Sequence, residues 1–182
     1  MASKTIDKLE AASRQLNTAI SLWFNDGDAV GIHTLACSAH QIVHDINHRQ
    51  GGRDLIYDSF VFKDEHRREI NKKFKQHYNF FKHAEKDPCG TIEFDPSITE
   101  FFIIFTLMGL EILGREPDEV RRAFFIYYLL RNPDLLTEKA KVKLDTMGRD
   151  GLQYALNMPK QQFFEFYTLL RKQDLSGAEP FT

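Results

Sequence analysis

Leu9, Leu16, Ile20 and Trp23 recur at spacings of seven, four and three with mostly polar residues between them. That is the stripe of an amphipathic helix, predicted over residues 5–24, and the same period returns in segment after segment of the chain. Asn25, Asp26, Gly27 and Asp28 close the first stripe and offer an N-cap to a second, over residues 29–48. Its apolar face is Ile32, Leu35, Ala36, Ala39, Ile42, Val43 and Ile46, and Gly51-Gly52 ends it. A third helix is predicted over 64–85, with Ile70, Phe74, Tyr78 and Phe81 on one side and Asp87-Pro88 and Gly90 after it. Thr91 to Phe94 reads as a short extended piece.

Ser97 with Glu100 three residues on reads as a capping box for a fourth helix, to Leu113, with Gly114 as its stop. Pro117 suits the first turn of a fifth helix, which ends before Pro133. Residues 137–156 are helical in composition but bent at Gly148 and Gly151, and Pro159 opens a last helix to about Gln173. Residues 53–62 have no clean period and read as an irregular connector. The expectation is an all-α fold, a single up-and-down bundle of about seven helices in one domain over residues 1–182. Sixteen Phe against one Trp, many in adjacent pairs such as Phe101-Phe102 and Phe124-Phe125, predict a phenylalanine-rich core.

A net charge of −2 gives no overall basic field, so any nucleic-acid binding must be local. Two cysteines, Cys37 and Cys89, and no apolar leader behind Met-Ala-Ser-Lys argue against a secreted disulfide scaffold and predict a cytoplasmic protein. The longest apolar run, Phe101 to Leu110, is short of the roughly 20 residues that a membrane-spanning helix needs, so no membrane partner is expected.

His33, Cys37, His40, His44 and His48 fall within a sector of about 80° on the second helix. His40 and His44, one turn apart, could bind a transition-metal ion, with His66 or His77 as the third ligand if the next helix packs antiparallel. A histidine at the margin of an apolar face is otherwise a packed core-edge residue, and Cys37 reads as a small core residue. No other cofactor is predicted.

Asn79 and His83 share a face at the end of the third helix, with Lys82 at its margin. An amide and an imidazole on one turn can fix a phosphate, a base edge or a partner carboxylate, or they can simply close the helix. Residues 63–86 carry eight Lys and Arg against four Asp and Glu. That basic face, with Tyr78, Phe80 and Phe81 nearby, could hold single-stranded nucleic acid, or be no more than a solvated helix surface. No nucleophile elbow, P-loop or dinucleotide-binding glycine pattern is present.

The His33 to Ile42 segment and the Asn79-Phe80-Phe81-Lys82-His83 ending resemble the HEPN superfamily, helical domains of bacterial defence and toxin–antitoxin systems, some of which cut RNA. The resemblance covers about residues 5–90, leaving 91–182 as C-terminal helices. It implies a binding module for RNA, a nucleotide or a protein partner, with Asn79, Lys82 and His83 at the site. In active members an arginine precedes the catalytic histidine by a few positions. Here Tyr78 stands before Asn79, and Arg68 is too far from His83 to match. The resemblance therefore implies a non-catalytic member, whose alternative is a weak ribonuclease using His83 as acid or base and Lys82 or Asn79 on the phosphate. A homodimer through paired helices with exposed Phe is a further reading.

Overall fold

The computed structural model describes residues 3–52, 55, 64–85, 87–138, 154 and 157–177. Among them the chain is all helical: α1 (Lys8–Phe24), α2 (Ala29–Arg49), α3 (Asp64–Lys82), α4 (Ile98–Ile112), α5 (Glu119–Arg131), a 3-10 turn at Pro133–Leu135, and α6 (Lys160–Gly177). No strand occurs among the described residues, so Thr91 to Phe94 is irregular rather than extended sheet. The connector at 53–62, apart from Leu55, and the predicted bend at Gly148 and Gly151 lie outside the described residues. The chain forms two compact units, residues 1–117 and 118–182.

Helix boundaries follow the caps. Asp7 accepts from the Glu10 N–H at 2.7 Å, and Asp28 accepts from the Gly31 N–H at 2.8 Å, each satisfying a donor that a helix start leaves open. Gly114 at φ +76° ends α4, a conformation glycine adopts without a Cβ penalty. The predicted capping box at Ser97 is absent. Ser97 already has helical dihedrals and makes no side-chain cap bond, and the Asp95 carboxylate accepts the Ser97 N–H at 2.9 Å instead. Pro117 likewise precedes the cap of α5, which is Asp118, accepting from the Arg121 N–H at 3.1 Å.

In the first unit α2 is the central helix, packed against α1, α3 and α4. The four-residue loop after α1 makes α1 and α2 an antiparallel hairpin. Leu16, Ile20 and Phe24 of α1 meet Ala36, Ala39 and Val43 of α2 and Phe102, Ile103, Leu107 and Leu110 of α4 in one core. The second unit pairs α5 with α6: the Tyr127 and Phe163 rings lie 4.9 Å apart, and Arg171 Nε donates to Glu119 Oε2 at 3.3 Å. Of the Phe pairs, Phe102, Phe124 and Phe163 are buried while Phe101 and Phe125 are exposed. Neighbours on a helix point about 100° apart, so both members of a pair cannot face one core.

Gly109 marks the closest approach of α4 to α2. A Cβ there would lie 2.5 Å from Val43 Cγ1 and 2.6 Å from Leu55 Cδ1. Val43 is β-branched and buried, so it has little rotamer freedom with which to yield. Gly109→Ala gains about 1 kcal/mol of helix propensity but costs about 2–3 kcal/mol in overpacking. A net loss of about 1–2 kcal/mol in urea unfolding is expected; an unchanged or raised midpoint would show that α4 can shift away from α2.

Candidate functional site

The last turns of α3 and the residue that follows it carry Lys72, Gln76, Asn79, Phe80 and His83, mostly at spacings of three and four, so they fall on one side of the helix. The His83 N–H still bonds to the Asn79 carbonyl at 3.0 Å, which keeps His83 in helical register one residue past the end of α3. The chain then turns back. The Gly90 N–H closes a tight turn on the Asp87 carbonyl at 2.8 Å with Pro88 inside it, and a Cβ at Gly90 would lie 2.8 Å from Asp87 Oδ2. Glu85, Asp87, Thr91 and Ile92 thus form a second wall, and between the walls lies a cleft of about 800 Å³.

Asn79 and His83, both named from the sequence, line this cleft together. Lys82 does not. Its Nζ donates to the Tyr78 hydroxyl at 3.1 Å and sits 5.1 Å from the centre of that ring, on another side of α3. Among the described residues Lys72 supplies the cation of the cleft. The sequence placed Lys72 and Phe80 only in the basic face and did not single out Gln76, although their spacing from Asn79 and His83 was the available signal. The second wall carries no such signal, because it depends on the turn at 87–90. Most of the predicted basic face lies outside the residues whose side chains are described.

Behind the cleft lies a layer of rings. His77 Nε2 donates to the Glu93 carbonyl at 2.9 Å. Phe94, next in sequence, has its ring centre 5.3 Å from His77, 5.1 Å from Phe81 and 5.0 Å from His33.

The histidine stripe of α2 runs into this layer and into the core. His33 is fully buried, with Nδ1 2.9 Å from Thr99 Oγ1 and Nε2 3.3 Å from Cys37 Sγ. Burial, and secondarily the facing His77, hold its pKa down at about 4. His40 is also fully buried, edge-on to Phe102 at 5.5 Å and stacked on His44 at 6.0 Å. Burial first, then the charges of His44 and Lys75, push its pKa to about 3. The Cys37 thiol is raised by burial, which keeps it protonated and inert as a nucleophile or ligand.

His40 and His44 are therefore neighbours, as a metal pair requires, but His40 is enclosed. His77, a third-ligand candidate, faces His33 and bonds to Glu93; the His66 side chain lies outside the described residues. Among the described residues no group of three or more His, Cys, Asp or Glu is arranged to hold a metal ion. None of the described helices is long and apolar enough to cross a membrane. No protein-family model matches the chain, and neither a curated protein nor a solved structure was found to be similar to it.

Proposed function

We propose that this chain is a HEPN-like, non-catalytic recognition module whose α3 cleft takes an extended segment of a basic partner protein. The observation that carries the reading is the composition of the cleft lining among the described residues: two amides, one phenylalanine, and two carboxylates against one lysine. The Gln76 and Asn79 amides each offer a donor and an acceptor, which is what the peptide groups of an extended chain need. Phe80 offers an apolar ring beside them. Among the described residues Glu85 and Asp87 outnumber Lys72, so this part of the lining favours lysine or arginine side chains over a phosphate backbone.

The same count weighs against RNA cleavage. A scissile phosphate needs cationic donors where charge develops, and among the described residues the lining has one lysine and no arginine beside His83.

Fluorescence anisotropy tests the reading with two probes, a fluorescein-labelled alternating Lys/Val heptapeptide and a labelled uridine decamer. The peptide is expected to bind and the RNA not to bind. Reversing both acids, Glu85→Lys with Asp87→Lys, should weaken the peptide about tenfold, since exposed ion pairs contribute at most about 1 kcal/mol each. RNA that binds more tightly than the peptide, and is weakened by Lys72→Glu, would establish a nucleic-acid module instead. RNA cleavage by the wild type that disappears in His83→Ala would restore the ribonuclease.

A further inference from the structure

The second wall of the cleft belongs to a segment with no regular structure of its own. Residues 91–95 run between the turn at Asp87–Gly90 and the start of α4, and Thr91 and Ile92 of this strap face the cleft. Five irregular residues have no ladder or helix to fix them, so their position is set by whatever holds them to α3. Among the described residues the hydrogen bond from His77 to the Glu93 carbonyl is the one that ties 91–94 to that helix. Phe94, packed on His77, Phe81 and His33, adds an apolar anchor next to it.

We infer that His77 is the positioning residue of the cleft: its hydrogen bond hangs the 91–95 strap beside α3 and thereby sets how tightly the cleft holds its ligand. The inference rests on the recognition reading above and deepens it. His77 lines neither wall; it acts through Glu93, one residue beyond Ile92. A carbonyl can only accept, so Nε2 carries the hydrogen of this bond, and the donor persists whether the ring is neutral or protonated. The ring has a second task, its packing on Phe94 and Phe81.

Two substitutions separate these tasks. His77→Phe keeps a flat ring in the layer and deletes the donor. His77→Gln shortens the ring contact but places an amide N–H about where Nε2 stood. Limited proteolysis by Glu-C, followed by mass spectrometry as the rate of cleavage after Glu93, and anisotropy of the Lys/Val heptapeptide are the readouts, on the full chain, with far-UV circular dichroism to establish that each variant is folded. His77→Phe is expected to speed strap cleavage about tenfold and weaken the peptide about fivefold, the scale of one lost hydrogen bond. His77→Gln should return both toward wild type. Loss of both in His77→Gln as in His77→Phe, or wild-type behaviour in His77→Phe, would overturn the inference. So would faster strap cleavage with unchanged affinity, which leaves the recognition reading intact. A wild type that binds no peptide overturns that reading and the affinity claim with it.

Discussion

Truncating Phe102 to alanine lowers the stability of the chain by about 3 kcal/mol, at the lower end of the range for a buried phenylalanine. Phe102 is fully buried where α2, α3 and α4 converge. Its ring stands edge-on to His33 at 5.4 Å, His40 at 5.5 Å and Phe74 at 5.8 Å. Removing it deletes apolar burial and leaves a cavity, and these two terms add. The walls decide the size of the second term. A cavity lined only by aliphatic groups stays dry, whereas this one would expose two imidazoles that can hydrogen-bond an entering water. That partial solvation is why the lower end is expected. Urea unfolding of Phe102→Ala against wild type measures it. A loss under about 1 kcal/mol would mean that α4 collapses into the space or that the ring is less enclosed than its neighbours indicate.

The positions of the long helices were legible because their signals are local. The α1 stripe, the Asp28 cap and the Gly114 stop each depend on residues within a turn or two, and each stands where the period predicts. What failed in detail were assignments that depend on a neighbour in space. Ser97 and Glu100 have the spacing of a capping box, but Asp95 two residues earlier takes the Ser97 N–H. The histidines of the α2 stripe looked like a margin because histidine is polar by type. With α3 and α4 on that side, His33 and His40 joined Cys37, already read as core, which no period within α2 can reveal. At the site, Asn79 and His83 were readable as one helix face. Lys82 was not separable from them, because a lysine one residue from a face has the reach to join it. Its partner in the structure is Tyr78, four residues back on its own side. The strap was invisible to sequence, since its place depends on a bond between residues sixteen apart.

Acidification from pH 7.5 to pH 5 should cost the fold about 4 kcal/mol, with His33 and His40 as the cause. Both are neutral in the folded state with pKa values of about 4 and about 3, against an ordinary value of 6.5. The direction follows from proton counts. Between those values the unfolded chain binds protons that the folded chain refuses, so stability is full above 6.5 and falls as pH drops toward 4 and 3. At pH 5 each unfolded histidine gains about 2 kcal/mol from its proton, and two give about 4. Among the described residues the groups that shift them include no acid. His33 faces Cys37 on α2, His77 on α3 and Thr99 on α4, and His40 faces His44 on α2 and Lys75 on α3. The carboxylates held below their ordinary value, Asp7 and Asp95, titrate beneath 3.8 and so act only at lower pH. Urea midpoints at the two pH values measure the loss, and His40→Gln, which packs an amide that cannot titrate, should halve it. A midpoint that stays level between pH 7.5 and pH 5 would mean that these two imidazoles reach water in the folded chain. The same pH loss in His40→Gln as in wild type would place the titrating group elsewhere.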